Sequence, residues 1–517
     1  MRRLARFPYA VAMTGLTKPA QLHQLVAGQV IPFGGDRYTT VSQELAESFC
    51  LGDRLVVVQD DGALLRIPQA DHALVRQAVA AAHRSFVQLG SCSDEQISTF
   101  YEQFAALLED EAVFAEIANA NAIDVDKAIS RQRSTTRLAL STAIRVDMIA
   151  GLRVWRDIQS GRNDIEQQLE HERWTVTVRR SPLGVVGFVF EGRPNVFADA
   201  AGVLRSGNSA VLRIGSDALA TAKAIMAAAL RPALLTAGLP SDAIVLIDSE
   251  ARATGWALFS DDRLSLAVAR GSGQAVQQLG AVARQSGIPA SLHGTGGSWM
   301  MVTSAADPAK MHLAILNSLD RKVCNTLNVC CVNRDVAESF VPLVIHALEA
   351  AAASRSVSAR LHIVDTDGAD IDPTLLRRRV FIRRSDGVHD EPFADIVAVD
   401  ELATEWEWED SPEMTLVIAD NIEHAVQLFN QYSPRLAASL ISESPSEHER
   451  FRRTIDAPFV GNGMTRWVDG QFALNRPELG LSNWANGRLL ARSAVLSGDS
   501  VFTLRTFSDV HDSSLRR

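Results

Sequence analysis

Cysteine is scarce in this sequence. Only five of its 517 residues are cysteines, and no two of them have the Cys-x-x-Cys spacing: Cys50, Cys92, Cys324, Cys330 and Cys331. A small, odd count without that spacing argues against a disulfide framework and against a structural zinc site. We therefore expect reduced thiols, no bound metal, and one cysteine as a candidate reactive group.

Long apolar runs and an excess of positive charge are also missing. No stretch approaches the roughly 20 apolar residues that span a membrane, and no signal-peptide core follows the basic start, Met1–Arg6. The net charge is −10, whereas broad nucleic-acid binding needs a basic face; a local basic patch stays open. The sequence thus predicts a soluble, cytoplasmic protein that binds neither membranes nor nucleic acids.

The composition is that of a globular chain, with 47% hydrophobic and 22% charged residues. Its length predicts two or three domains. Near the N-terminus, Asp60-Asp61-Gly62 stands between two apolar runs and predicts a β-hairpin. We expect residues 1–70 to form a small β-rich extension. It is either a structural cap or oligomerisation piece, or a regulatory or carrier-docking module.

Apolar strands alternate with helical segments after residue 184. Four such strands come first, at 184–190, 209–213, 243–247 and 264–268. This alternation predicts a doubly wound parallel sheet, in which ligands bind beyond the carboxyl ends of the strands. We assign 71–296, with 456–500, to this Rossmann-like cofactor lobe, and 297–455 to a second α/β lobe.

Cys324 is the candidate nucleophile. It follows two cations, Arg321 and Lys322, and positive neighbours lower the pKa of a thiol, as does a helix N-terminus. The alternative is a buried, inert cysteine. Cys330 and Cys331 lie in an apolar run and are expected in the core.

Other candidate residues carry weaker signals. Asn325 and Asn195 are candidate oxyanion donors through their side-chain amides, although either residue type is common in turns and caps. Gly215, Gly271 and Gly273 follow predicted strands, where glycine lets the backbone approach a dinucleotide or simply makes a turn.

Several segments together resemble the gamma-glutamyl phosphate reductases, which are divergent members of the aldehyde dehydrogenase superfamily. The resemblance covers roughly residues 75 to 507, and its motifs occur in the family's order. The matching segments are 181–187 (SPLGVVG), 190–196 (FEGRPNV), 206–208 (SGN), 211–216 (VLRIGS), 268–271 (VARG), 323–325 (VCN), 462–466 (NGMTR), 469–472 and 478–482 (ELGLS).

The resemblance implies an α/β, aldehyde-dehydrogenase-like fold and a covalent reaction. Cys324 would attack an activated acyl group, and hydride from NADPH, or else NADH, would reduce the thioacyl enzyme. The backbone amide of Cys324, with an Asn or Arg side chain, would hold the oxyanion, and Arg193 would clamp a phosphate or carboxylate.

The cofactor and oligomer assignments also follow from the resemblance. Asp410 would bind the cofactor ribose, with Glu409 and Glu413 as alternatives. Six residues would line the cofactor groove: Arg213, Gly215, Ser216, Arg270, Gly271 and Gly273. The alternating strands within 165–181 and 501–517 would pair between subunits, giving a homodimer or homotetramer.

Three substrate-side segments depart from the family pattern. The family's KHxDG reads Leu292–Gly296 (LHGTG), the stretch before the cysteine is two residues shorter, and GHTDAI is replaced by Arg435–Leu440. We therefore hypothesise that the acyl substrate is not γ-glutamyl phosphate. Aldehyde oxidation is the first alternative, but 292–297 offers no carboxylate as its general base. A non-catalytic scaffold is the second.

Overall fold

In a computed structural model, the protein is described over residues 21–133, 135, 138–364, 372–384, 387–481 and 495–516. The basic start, Met1–Arg6, lies outside these residues. The chain divides into two compact units, Met1–Ala70 and Asp71–Arg517.

The first unit contains two antiparallel hairpins around a small apolar cluster of Leu25, Val41 and Phe49. Its elements are β1 (Val30–Phe33), β2 (Arg37–Thr40), α1 (Gln43–Ser48), β3 (Arg54–Val57) and β4 (Leu64–Ile67). Gly62, with φ of +78°, turns the chain between β3 and β4. The hairpin predicted around Asp-Gly is therefore confirmed.

The second unit opens with a helical layer. It comprises α2 (Gln69–Leu89), α3 (Asp94–Glu109), α4 (Glu111–Ser130) and α5 (Thr142–Asp157). Ser93 and Gln96 form a capping box that starts α3. Tyr101 and Trp155 donate to the carbonyls of Ala201 and Ala198, at 2.9 and 3.2 Å. These bonds tie the layer to a helix that borders the site.

An antiparallel pair, β5 (Ile165–His171) and β6 (Trp174–Pro182), leads into the first parallel sheet. The sheet's strands are β7 (Val185–Phe190), β8 (Ser209–Ile214), β9 (Ile244–Leu246), β10 (Leu264–Arg270) and β11 (Ala290–His293). Its helices are α6 (Val196–Ala201), α7 (Leu219–Ile225), α8 (Arg231–Thr236), α9 (Ala253–Phe259) and α10 (Gly273–Gln285). The strand order is β11-β10-β7-β8-β9, so β7 borders the point where the order reverses and a ligand crevice opens.

The second parallel sheet has the order β17-β14-β18-β13-β12-β19-β20. Its strands are β12 (Ser298–Val302), β13 (Leu327–Asn333), β14 (Arg360–Val364), β17 (Ala394–Val397), β18 (Glu413–Ala419), β19 (Ala437–Ile441) and β20 (Phe459–Gly461). A hairpin of β15 (Arg379–Arg384) and β16 (Gly387–Pro392) is inserted. The helices are α11 (Pro308–Ser318), α12 (Ala337–Ala353), α13 (Pro373–Arg377), α14 (Ile422–Tyr432) and α15 (Pro445–Thr454).

Successive residues of β13 point to opposite faces of this sheet. Cys330 packs with Met300 and Leu416 on one face, and Cys331 packs with Trp299 on the other. Both thiols are buried, so their predicted place in the core is confirmed.

The end of the chain adds α16 (Gly470–Leu474), β21 (Glu478–Leu481), β22 (Val495–Ser497) and β23 (Phe502–Val510). Assigning 456–500 to the cofactor lobe as one block was wrong, because β20 pairs with β19 of the second sheet. A three-residue strand is too short for its sheet to be read from periodicity. Ser482 of the ELGLS segment lies outside the described residues.

The alternating strands pair within one chain. β23 lies antiparallel to β6, with Phe507 opposite Thr177, and β5 covers the other edge of β6. Both edges of β6 are thus covered within the chain, so the expected pairing of β6 between subunits was wrong. β5 and β23 each form one edge of this sheet, and pairing between subunits at those edges stays a prediction. Alternation identifies a strand with one exposed face, but it does not say which strand is its neighbour. Arg517 lies outside the described residues.

Two helical stretches, Ser216–Thr236 and Arg334–Ala353, are long and apolar enough to cross a membrane by length and composition. About half of each is buried in the protein, at 56% and 50%. Ile225 and Val344 lie in the two main cores. The expectation that no stretch approaches a membrane span was therefore wrong by length and composition, and both stretches pack into the cores as helices.

Candidate active site

Cys324 lies in a turn between α11 and β13. Its carbonyl accepts the Gly297 N–H at 2.7 Å, and its side chain packs beside a buried apolar cluster that contains Leu436, Val468 and Leu481. The turn leads into a strand, so the helix N-terminus considered for Cys324 is not present here. Burial and the tie to Gly297 fix the thiol where β11 passes into β12.

The electrostatics of Cys324 differ from the sequence-based expectation. Burial and the Glu478 carboxylate raise the pKa of the thiol, while Arg193 and Arg270 lower it in part. Its neighbour Lys322 has a side chain only 5% exposed and pairs with Glu405 at 2.5 Å. The prediction of a lowered pKa was therefore wrong, because burial outweighs the positive charges near the thiol and the adjacent Lys322 is paired with Glu405.

Asn325 anchors the cysteine turn. Its amide donates to the Val468 carbonyl at 2.6 Å, and its Oδ1 accepts a hydrogen bond from Arg466. Its backbone carbonyl accepts the hydroxyls of Ser298 and Thr465, at 3.1 and 2.7 Å. The side chain predicted to donate to an oxyanion is thus engaged in holding the turn.

Arg193 and Asn195 come from the turn between β7 and α6. The charge of Arg193 acts on the pKa of Cys324, of Asp199 and of His293, which places its guanidinium among them. Asn195 precedes α6 without making a side-chain cap bond. Its half-buried amide makes no hydrogen bond within the described residues, so its N–H groups can donate to another group.

Arg270 lies beneath the site and does not line a groove. Its guanidinium is 12% exposed and pairs with Glu478 at 3.1 Å and with Asp199 at 3.5 Å. Burial, opposed by Arg270 and aided by Glu478, raises the pKa of Asp199 to about 7. The predicted cofactor contact for Arg270 was wrong, because a strand-end position does not reveal that two carboxylates cover the side chain.

His293 ends β11 in the same buried region. Burial and the positive charge of Arg270 lower the pKa of His293 to about 4. Its Nδ1 lies 3.1 Å from the Leu481 carbonyl, so the neutral ring donates there. The imidazole thereby ties β11 to β21.

The strand-end glycines let neighbouring turns pack together. A Cβ on Gly215 would lie 3.0 Å from the backbone nitrogen of Gly192, and one on Gly273 would lie 2.2 Å from Thr295 Oγ1. Gly271 meets Glu191 in the same way, at 2.7 Å from its Cγ, and Glu191 accepts the Ser272 N–H. Ser216 begins a short 3-10 turn, Ser216–Ala218, and does not cap the helix that follows.

Arg213 carries a buried charge at the end of β8. It is 9% exposed, its Nη2 donates to the Glu250 and Ala251 carbonyls at 3.4 and 3.3 Å, and its Nε has no partner. Burial, together with the neighbouring cation Arg252, lowers its pKa. Its contacts within the described residues are neutral, so an anionic ligand would balance this charge.

Asp410 does not reach the cysteine. It pairs with Arg383 of the β15–β16 hairpin at 3.1 Å and is half exposed. Glu405 lies near the cysteine turn instead, because its carboxylate binds Lys322 and accepts the Gly296 N–H. A Cβ on Gly296 would lie 2.5 Å from Cys324 Cα. Five acidic residues lie from position 405 to position 413, and no local pattern distinguishes Glu405 from the others.

Across the described residues, no group of three or more His, Cys, Asp or Glu side chains could hold a metal ion.

Residues 57–361, more than half of the chain, match the aldehyde dehydrogenase family. The chain belongs to the aldehyde dehydrogenase family. As a member of this family, the protein is an oxidoreductase that uses a nicotinamide cofactor. The fold class and the family inferred from the sequence are confirmed.

Curated relatives within the family include two gamma-glutamyl phosphate reductases. That of Methylobacterium radiotolerans is 30% identical over 441 residues, which is 83% of this chain and 92% of that protein. That of Syntrophomonas wolfei is 29% identical over 383 residues, which is 72% of this chain and 83% of that protein.

Solved structures show the same fold. The gamma-glutamyl phosphate reductase of Thermotoga maritima has a TM-score of 0.71 at 22% identity, covering 86% of this chain and 100% of that one. An acetylating aldehyde dehydrogenase from Geobacillus thermoglucosidasius has a TM-score of 0.59 at 16% identity, covering 87% and 99%.

Proposed function

We propose that this enzyme reduces an activated acyl group, an acyl phosphate or acyl thioester, to an aldehyde through a thioacyl intermediate on Cys324. The observation that carries the proposal is the place of Cys324, half buried beside Arg193 in a chain of this family. The curated relatives are named as reductases of an acyl phosphate, which favours reduction.

In this reaction the sulfur of Cys324 attacks the acyl carbon and the bond to phosphate or to the leaving thiol breaks. When bound, the nicotinamide supplies the hydride that reduces the resulting thioester. The thiohemiacetal then releases the aldehyde and restores the thiol. We assign oxyanion stabilisation to the backbone N–H of Cys324 and the amide of Asn195, with Arg193 facing the leaving phosphate.

Oxidation of an aldehyde by water would require a free general base. The two carboxylates whose charge acts on Cys324 are both held by a cation and by a backbone N–H. Glu405 binds Lys322 and Gly296, and Glu478 binds Arg270 and Gly470. These contacts support reduction over oxidation, and the place of Cys324 beside Arg193 supports an enzyme over a scaffold.

We propose NADP(H) as the preferred cofactor, bound along Gly215, Ser216 and Gly273 at the ends of β8 and β10. The buried charge of Arg213, next to Arg252, would be balanced by the 2′-phosphate that distinguishes NADP from NAD. Glu405 would hold the nicotinamide end of the cofactor, near Cys324.

The acyl substrate is proposed to be less polar than γ-glutamyl phosphate. The segment that replaces the family's GHTDAI contributes Leu436 and Ala437 to the apolar cluster beside Cys324. Apolar side chains of this kind favour an apolar acyl chain, since a glutamyl carboxylate and ammonium buried against them would lose their contacts with water. We also propose that the enzyme works in the cytoplasm, as a dimer or tetramer assembled through the exposed face of β5, β6 and β23; a monomer by light scattering would overturn that assembly.

The test is NADP⁺ and NAD⁺ reduction by the purified protein with a panel of aldehydes, including glutamate semialdehyde, with phosphate or coenzyme A as acyl acceptor. We expect turnover with NADP⁺, dependence on one acceptor, and complete loss in Cys324→Ala. Cys50→Ala, which changes an exposed thiol of the first unit, is the control. Turnover that survives in Cys324→Ala would contradict the mechanism, and ordinary efficiency with glutamate semialdehyde would contradict the proposed substrate class.

A further inference from the structure

A buried histidine bridges two carboxylates in the second sheet. His362 of β14 is 2% exposed. Its Nδ1 lies 2.6 Å from Asp395 of β17, and its Nε2 lies 2.8 Å from Glu413 of β18. A ring with a carboxylate at each nitrogen has the arrangement of an imidazolium, which donates from both nitrogens.

The charged groups around this ring form a closed network. Arg360 of β14 binds Glu391 of β16 and also Asp395, at 2.8 Å. Arg384 of β15 binds Glu391 and Glu413, each at 2.7 Å. Three carboxylates thus face two guanidiniums, so a positive imidazole completes the balance of charge.

The protonation of His362 follows from this network. Burial opposes its positive charge, but the hydrogen bonds to Asp395 and Glu413 outweigh burial, so the pKa of His362 is raised. Burial likewise opposes the charge of Glu413, and the bonds to His362 and Arg384 nevertheless lower the pKa of that carboxyl.

Trp406 lies flat on the imidazole of His362, with ring centroids 3.6 Å apart and planes 14° apart. The indole Nε1 donates to Thr415 at 2.7 Å. The amide of Asn328 accepts the Trp406 backbone N–H at 3.0 Å and donates to the Thr404 carbonyl at 2.8 Å. The residues on both sides of Glu405 are therefore fixed.

We propose that His362 is a positioning residue for the active site: its imidazolium holds Trp406, and Trp406 holds the Glu405 carboxylate against Lys322 and Gly296. The proposal rests on the proposed function, in which Glu405 faces the nicotinamide cofactor. When the pH rises through the pKa of His362, the network is left with an uncompensated negative charge and Trp406 loses its cationic partner. The cofactor is then bound more weakly.

The matched variants are His362→Gln and His424→Gln. His424 is also a histidine beside an aspartate, Asp420 at 3.4 Å, but on α14. Histidine-selective NMR should show an imidazole that titrates above pH 6.5 and is absent from His362→Gln. The affinity for NADPH, followed by its fluorescence, should fall as the pH rises in the wild-type enzyme. It should be about fivefold weaker in His362→Gln and should depend less on pH than in the wild type, a change within the range of network mutations.

A second variant tests the proposal in case His362→Gln does not fold. Trp406→Leu leaves the imidazolium network intact and removes the stacked indole together with its hydrogen bond to Thr415, so it should weaken NADPH binding to a similar extent. His424→Gln should match the wild type throughout.

Two outcomes would overturn the proposal: a His362 that titrates at or below pH 6.5, or NADPH binding that is unchanged in both variants. A wild-type enzyme that binds neither NADPH nor NADH would instead overturn the proposed function. In that case the His362 titration is compared between the wild type and Trp406→Leu. A difference between the two shows that the indole and the imidazole are in contact.

Discussion

Gly296 stands so close to Cys324 that a Cβ at position 296 would lie 2.5 Å from both the Cα and the carbonyl oxygen of the cysteine. The two residues belong to different turns, one after β11 and one before β13. Gly296 thus joins two turns: its own turn, whose N–H binds the Glu405 carboxylate, and the turn that carries the nucleophile Cys324.

Gly296→Ala should therefore abolish turnover, because the atoms that the new methyl group meets are mostly backbone and cannot rotate away. We expect a loss of more than about 100-fold in kcat/KM, the scale of a misplacement near the reacting atoms. Gly255→Ala in α9 is the control, since its Cβ finds only ordinary contacts of 3.5 Å or more. Equal activity of Gly296→Ala and wild type would show that the two turns separate freely.

Iodoacetamide should label Cys324 more slowly than a free thiol at pH 7.5, because burial and Glu478 raise the pKa of its thiol. The rate should climb with pH beyond the ordinary cysteine range. In Glu478→Gln the same rise should occur at lower pH, and Cys324→Ser identifies the labelled site. Fast labelling at neutral pH would mean that Arg193 and Arg270 dominate.

Lys322→Met should destabilise the enzyme, because it leaves the Glu405 carboxylate, 14% exposed, without its cation. Breaking a buried pair costs about 3–5 kcal/mol in free energy of unfolding. Lys310→Met removes the partner of Glu443 at 3.0 Å, where both side chains are exposed, and should cost about 1 kcal/mol or less. Urea unfolding measures both, and equal losses would show that water reaches Glu405.

Asp199 makes stability depend on pH in an uncommon direction. Its pKa is about 7 in the folded chain and 3.8 ordinarily, so between those values the folded chain holds a proton that the unfolded chain has lost. The free energy of unfolding must then fall as the pH rises through this interval. Asp199→Asn should remove a decline on the order of 2 kcal/mol between pH 5 and pH 8. Asp248→Asn, at an exposed pair with Lys223, should keep it; an unchanged slope in Asp199→Asn would contradict the assignment.

Much of the fold was readable from the sequence because buried parallel strands are apolar on both faces, as in 185–190, and because Asp-Gly marks a hairpin. The identity of the nucleophile was also proposed from local sequence. Its surroundings were not, because the groups that set its electrostatics come from other strands: Arg193 follows β7, and Glu478 opens β21.

The errors had physical causes as well. Lys322 was predicted to act on Cys324 as a cation, but it is paired with Glu405, which is 83 residues away in sequence. Asp410 and Glu405 are both acidic and five positions apart. They differ in their partners, because Glu405 binds the buried Lys322 side chain and Asp410 binds Arg383. Contacts of this range leave no periodic trace in the sequence.

The anchoring of Asn325 also has a consequence for biosynthesis. Its turn is held by Val468 and Thr465, about 140 residues further along the chain. While the ribosome is still making those residues, the turn that carries Cys324 lacks the partners that hold it. The turn that carries the Cys324 thiol is therefore incomplete until translation is nearly finished. A prematurely terminated product that lacks residue 465 onward would contain the nucleophile but would not be a working enzyme.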